Sequence, residues 1–386
     1  MQRTVEKVFF ALICSEINGG ELCEEIKNLI TPEMQPVLFK ISKQHDLAHL
    51  VGDALDKNGL LTDGSEAKKR FLQERNMAVY RYEQQQYELE QICAVLEGAE
   101  IPFIPLKGAV IRQYYPDPWM RTSCDIDILV KEEDLEPAIR ELKEKLSYEE
   151  STRGSHDVNL FAPSGVHLEL HFSLTESDGR WKSLLTDVWQ KTLDGWQYYF
   201  VMSNQMFYLY HIVHMAIHMR TGGCGVKPFL DLWILKAKNF FDEDTLENLL
   251  RKGEISAFNK EAVKLSNVWF GGAESDGVSL ALEQYILQGG VYGTIENRVA
   301  VQQAKKGGKL AYLLSRIFVD FHELSIKYPS LKKRKYLFPF YQMYRWFDLL
   351  IHKKSRQYTK VTIQSTRATT MEKLSSVEEL MQKLGL

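Results

Sequence analysis

The sequence predicts an α+β protein, with a small mixed β-sheet core flanked by an N-terminal and a C-terminal helical region. Two observations carry this prediction. Apolar residues recur at helical spacing over both ends of the 386-residue chain, and four short segments of strand character crowd between residues 101 and 171. From the second of these segments the order is strand, helix, strand, strand, which suits a small sheet covered by helices. A chain of this length exceeds what one hydrophobic core usually organises, so two or three compact units are expected. The divisions fall at 1–98 for the N-terminal helical region, 99–200 for the sheet core and 201–386 for the C-terminal helical domain.

In chain order, Leu22, Ile26 and Ile30, then Tyr80, Tyr87, Ile92 and Leu96, mark apolar helix faces, with breaks at Gly59, Asp63 and Gly64. Ile101–Gly108 carries Pro102 and Pro105, which exclude a helix interior and suit an extended segment ending at a glycine turn. Cys124–Val130 and Val158–Phe161 are β-branched and alternating, and Val166–His171 alternates more cleanly still. Between them Leu135, Ala138, Ile139, Leu142 and Leu146 form a helical stripe, in which Pro137 is tolerable only in the first turn. From about residue 200 onward the pattern is helical again, interrupted by Gly222–Gly225, Gly271–Gly272 and Gly289–Gly290.

With 45% hydrophobic and 26% charged residues the composition is that of a folded soluble protein. The net charge of −3 supplies no global field for a polyanion, so any such partner must meet a local patch. Cys14, Cys23, Cys93, Cys124 and Cys224 are odd in number, scattered and without a CxxC pair, which argues against a disulfide framework or zinc knuckle and fits a reducing cytoplasm. The apolar run Val8–Cys14 is too short for a leader and reads as a core helix, and no stretch is long enough for a membrane-spanning helix.

The candidate chemistry lies in the strands. Residues two apart on a strand share a face, so Asp125 and Asp127 project together with about 6.6 Å between their Cα atoms. Two carboxylates so placed repel one another unless a cation sits between them, and oxygen ligands suit Mg²⁺ or Mn²⁺. Glu169 offers a third carboxylate from another strand, with His167 and His171 on its face and Leu168 and Leu170 turned to the core. Three such carboxylates suit metal-assisted phosphoryl or nucleotidyl transfer. Lys107 and Gly108 end the preceding extended segment where backbone N–H groups could approach phosphate, and Arg121 stands four residues before Asp125. The competing reading of these residues is a solvated edge strand, an ordinary turn glycine and solvated basic side chains.

Two further features are ambiguous. His211, His214 and His218 fall within about 60° of one another on the predicted helix Met206–Met219. They read as a metal stripe or a set of substrate ligands or, more simply, as core histidines with hydrogen-bonded rings. Asp231, after the Gly222–Gly225 turn, either pairs with Lys227 or points into the cleft, and a structural role is expected. The segment 327–360 holds ten Lys/Arg against the single acid Asp348, interleaved with aromatics. Phe340, Tyr344 and Phe347 recur at helical spacing and are expected to pack the C-terminal helices against the rest of the protein, leaving a solvated basic face and no strong nucleic-acid binding.

Taken together, Leu106-Lys-Gly-Ala109, Tyr115-Pro-Asp-Pro118 with Arg121, Asp125-Ile-Asp-Ile-Leu-Val130 and His167-Leu-Glu-Leu-His171 resemble the uncharacterised nucleotidyltransferase family of the polymerase-β-like superfamily. The resemblance is specific over residues 100–175 and looser over His211, His214, Lys227, Asp231 and Tyr328–Lys333. It implies a nucleotidyltransferase core in which the Lys107–Gly108 turn meets the nucleotide phosphates. It also implies Asp125 and Asp127 as metal ligands, with Glu169 completing the site as ligand or base; Arg121, His167 and His171 stand beside them as nucleotide-binding candidates. Cys124 stands where members often carry a glycine or another small residue. The reading that follows is an Mg²⁺- or Mn²⁺-dependent enzyme moving a nucleoside monophosphate from an NTP, ATP first among them, to a hydroxyl or phosphate acceptor. The alternatives are a catalytically silent nucleotide-binding regulator, or an adaptor that binds RNA or membrane through the basic segment.

Overall fold

The computed structural model describes residues 2–175, 179–238, 241–291, 293–328, 330–351, 360, 362–366 and 369–386. The chain forms two compact units, one of residues 1–214 with 226–279 and the other of residues 215–225 with 280–386. The first contains a five-stranded sheet and is α+β, as the sequence pattern requires.

Five helices precede the sheet: α1 (Gln2–Asn18), α2 (Glu24–Leu29), α3 (Gln35–Gln44), α4 (Ala48–Lys57) and α5 (Glu66–Gly98). The break between α4 and α5 covers Gly59, Asp63 and Gly64, and the Ser65 hydroxyl caps α5 by accepting from the Lys68 N–H. The sheet strands are β1 (Phe103–Pro105), β2 (Asp125–Val130), β3 (Glu149–Arg153), β4 (Asp157–Phe161) and β5 (His167–His171), in spatial order β1-β2-β5-β4-β3. Only the β2–β5 pair is parallel, so the sheet is mixed.

One face of the sheet is apolar by alternation. Ile126, Ile128, Val130, Val158, Leu160, Leu168 and Leu170 pack against Ile92 and Leu96 of α5. They also meet Ala138, Ile139 and Leu142 of α7 (Leu135–Leu146), whose Pro137 falls in the first turn. That burial fixes the strand register, since a slip of one residue would turn the whole apolar set toward the other face. The polar members of β2 and β5 are thereby committed to the opposite face.

Two strand features were not apparent from the residue pattern. β3, Glu-Glu-Ser-Thr-Arg, is an exposed edge strand with no apolar alternation, paired with β4 across a register shift, while Arg153 pairs with Glu150 of the same strand and with Glu136 of α7. A short hairpin of β6 (Lys191–Thr192) and β7 (Phe200–Val201) follows the sheet.

Beyond it run α8 (Asn204–Thr221), α9 (Lys227–Lys238), α10 (Glu243–Lys252), α11 (Ser256–Phe270) and α12 (Gly277–Leu287). Within the first unit, α11 packs on α1 through stacked Phe10 and Trp269, 4.6 Å between ring centroids. The second unit includes α13 (Ile295–Lys305), α14 (Lys309–Ile317), α15 (Phe321–Lys327), α16 (Ser330–Lys333), α17 (Phe338–Ile351) and a C-terminal helix, Met371–Lys383. Among the described residues no helix is long and apolar enough to cross a membrane.

The expectation for the aromatic stripe of α17 is overturned. Phe340, Tyr344 and Phe347 are 67%, 60% and 58% exposed. The helix packs through its other side, where Phe338 and Tyr341 meet the cluster of Val319, Leu324 and Leu331. On that side the Gln342 amide donates to the Val319 carbonyl and the Trp346 indole to that of Ile317. Helical periodicity located a stripe, but two faces of this helix are apolar and the spacing alone does not say which one is covered. Lys333, Arg334 and Lys335 are exposed; Lys353, Lys354 and Arg356, with the side chains of Lys327 and Lys332, lie outside the described residues.

Candidate functional site

The parallel pairing of β2 and β5 sets Asp125 opposite His167, Asp127 opposite Glu169 and Leu129 opposite His171. Registered partners in a parallel pair share a face, so two acids from β2 meet one acid and two histidines from β5 on the side turned away from the core. β1 adds a cation. The Leu106 N–H donates to the Asp127 carbonyl at 2.9 Å, which carries the β1–β2 pairing one residue past the strand and delivers Lys107 beside Asp127. Lys107 Nζ then lies 2.7 Å from Asp127 Oδ1 and 4.0 Å from Glu169 Oε2.

Lys107 adopts φ +42°, a left-handed conformation that costs a residue with a Cβ about 1 kcal/mol. Next to it Gly108 packs closely: a Cβ there would lie 3.0 Å from the Ser123 Cβ, so a larger residue would have to displace Ser123. Gly108 is the second residue of the short helix α6 (Lys107–Ile111).

The histidines are held differently. His171 Nε2 is 2.9 Å from Asp127 Oδ1 and 3.4 Å from Glu169 Oε2. His167 Nε2 is 2.7 Å from Asn159 Oδ1, and its ring stacks on Phe161 at 4.7 Å, both partners coming from β4. Among the described residues the side-chain oxygens of Asp125, Oδ2 of Asp127 and Oε1 of Glu169 accept no hydrogen bond.

Charge divides unevenly over this cluster. Burial opposes ionisation of Asp127, but the Lys107 ammonium and the His171 hydrogen bond outweigh it and hold the carboxyl well below its usual range. For Asp125, burial and then the negative charges of Asp127 and Glu169 push the carboxyl up to about 7. Burial works against a charge on His171, yet its hydrogen bonds to Asp127 and Glu169 raise it above the ordinary imidazole value. Tyr210 of α8, which no spacing in the sequence marks, is buried against the same charges, and burial raises its hydroxyl.

Asp125, His167 and Glu169 bring one ligand atom each within 4.8 Å of one another, as do Asp127, Glu169 and His171, so each group could hold a metal ion. The free carboxylate oxygens are the donors a hard divalent cation takes, and the two groups share Glu169.

Arg121 stands apart from this cluster. It forms a forked pair with Asp231 of α9, Nε to Oδ1 at 2.7 Å and Nη2 to Oδ2 at 2.8 Å, and the Tyr115 hydroxyl donates to the same carboxylate at 2.6 Å. Lys227 pairs with Asp46 and Thr122 instead of with Asp231. His211 Nε2 lies 2.9 Å from the Pro228 carbonyl, and no metal-capable group among the described residues includes His211, His214 or His218.

With this geometry in view, the comparison with known proteins is decisive at the level of family. A family model described as uncharacterised nucleotidyltransferase matches residues 32–271. The chain belongs to that family. The matched span of this nucleotidyltransferase-family chain takes in all five sheet strands, the carboxylate cluster and the Arg121–Asp231 pair, and ends before residue 280. Neither a curated protein nor a solved structure matches the chain.

Proposed function

We propose that this chain is a metal-dependent nucleotidyltransferase that moves a nucleoside monophosphate from an NTP, ATP foremost, to a hydroxyl or phosphate acceptor. The observation that carries the proposal is the β2–β5 register, which aligns Asp125, Asp127 and Glu169 on one face with carboxylate oxygens free to take a cation. Asp125, Asp127 and Glu169 would hold Mg²⁺ or Mn²⁺, which when bound supplies charge for the leaving pyrophosphate and lowers the pKa of an attacking hydroxyl. In this reading Lys107 and Gly108 receive the phosphates, the first through its ammonium and the second by leaving the backbone room. His171 orients Asp127, as an outer partner orients a metal-binding carboxylate. His167, fixed by Asn159, lines the nucleotide side. Arg121 acts at a distance, bracing the loop before β2 through Asp231.

One observation favours a second reading. Lys107 and His171 already neutralise Asp127 without a metal, an arrangement compatible with a nucleotide-binding regulator that does not turn over.

The two separate in a titration of Mn²⁺ and NTP, individually and together, into wild type and Asp127→Asn, with circular dichroism as the check on folding. The enzyme reading expects NTP to bind in a Mn²⁺-dependent manner, with affinity falling at least about tenfold in the variant. NTP binding that is indifferent to Mn²⁺ and to the substitution contradicts it and supports the regulator.

A further inference from the structure

Arg112, in the turn after α6, is only 4% exposed, and among the described residues the groups it hydrogen-bonds are neutral. Its Nε donates to the Gly108 carbonyl at 2.8 Å. Its Nη2 donates to Gln85 Oε1 at 3.0 Å and to Ser123 Oγ at 2.9 Å. The guanidinium carbon sits 5.6 Å from the centre of the Tyr82 ring. Among the described residues no carboxylate pairs with Arg112, and its Nη1 donates to none of them. The charge that acts on it most strongly is repulsive: burial first, and then Arg121, depress the Arg112 pKa. An unpaired buried ion costs several kcal/mol, and buried charges in proteins are ordinarily paired. Arg121 has its carboxylate in Asp231; Arg112 has none.

This arginine lines a cavity of about 540 Å³, within the size range of small-molecule sites. Tyr82, Tyr114 and Tyr199 line it together with Gln113 and Asn204, and no acid does. None of Lys107, Asp125, Asp127, Glu169, His167 or His171 reaches the cavity, so it is separate from the carboxylate cluster.

We propose that this cavity binds a small organic anion, an aromatic ring bearing a carboxylate or a phosphate, with Arg112 as its counter-ion. The rings take the apolar body, the amides orient it, and the anion completes the guanidinium's partners. The site stands on the unpaired arginine and the cavity, independently of nucleotidyl transfer. It is nevertheless wired to the carboxylate cluster. Arg112 holds the carbonyl of Gly108, next to Lys107, and the hydroxyl of Ser123, which itself bonds the Asp125 carbonyl at 3.0 Å.

The test uses the full chain and three probes, benzoate, phenyl phosphate and inorganic phosphate, followed by calorimetry and thermal shift. The variants are Arg112→Gln, Asp127→Asn and Leu193→Trp; Leu193 lines the cavity, and at 38% exposure a larger side chain there fills the space without entering the core. Wild type is expected to bind benzoate or phenyl phosphate, and the preferred probe tells carboxylate from phosphate. Arg112→Gln should weaken that probe at least about tenfold, Leu193→Trp should remove it, and Asp127→Asn should leave it unchanged. If Arg112→Gln does not fold, Leu193→Trp decides. No binding of either aromatic probe up to about 10 mM, a range that would still detect a weak site, overturns the proposal. So does binding that survives both cavity variants, disappears with Asp127→Asn, or is matched by inorganic phosphate.

Discussion

Asp125 and Asp127 lie two residues apart on one strand, yet their environments push them in opposite directions. Asp127 receives Lys107 and His171, while Asp125 receives no hydrogen bond and feels the charges of its acidic neighbours. The folded-state pKa of Asp125, about 7, therefore stands above its unfolded value, and the metal-free folded protein binds the extra proton. Stability from this residue is present at low pH and is lost as pH rises from the unfolded carboxylate range toward 7. Asp125→Asn should raise the melting temperature of the metal-free protein at pH 8, with a gain that shrinks as pH falls toward 5. Mg²⁺ should cancel much of the gain by stabilising only wild type. Melts in EDTA and in Mg²⁺ at several pH values check this; a gain independent of pH contradicts it. At this scale the strand residues were the legible ones, because a period of two states which side chains share a face. Arg112 and Tyr210 were illegible, since what distinguishes them is a missing partner in one case and a charge cluster far away in sequence in the other.

Between elements, the largely buried network of Arg121, Asp231, Tyr115, Lys227, Asp46 and Thr122 joins the loop before β2 to α9 and to the turn after α3. Burial alone would raise the Asp231 carboxyl, but the Arg121 guanidinium holds it below its usual range. Removing Arg121 leaves that carboxylate buried with the Tyr115 hydroxyl only. Arg121→Met should cost about 3–5 kcal/mol in urea or thermal unfolding, and adding Asp231→Asn should recover part of the loss. A cost below about 1 kcal/mol would mean that the pair is not structural. Arg121 was visible in sequence as a basic residue near the aspartates, but its partner lies 110 positions later, beyond the reach of any local pattern. Similarly, β3 escaped detection because an exposed charged edge leaves no apolar alternation, and the α17 stripe was assigned to packing because two of its faces are apolar.

At the scale of the molecule, the family span runs from α3 through α11 and so contains the carboxylate cluster and the Arg121–Asp231 pair. The α+β class was readable because strand-like segments were confined to one window between helical stretches, whereas the parallel β2–β5 pairing that aligns the acids required the fold itself. Nucleotidyl transfer at these aligned acids separates cleanly from phosphoryl transfer and from silent binding by the position of a label. Wild type and Glu169→Gln would be incubated with Mg²⁺ or Mn²⁺, an acceptor panel, and NTP labelled at either the α or the γ phosphate. Nucleotidyl transfer puts α label on the acceptor with one pyrophosphate released per transfer, and Glu169→Gln abolishes it. Transfer of γ label, or α transfer that persists undiminished in the variant, would contradict it.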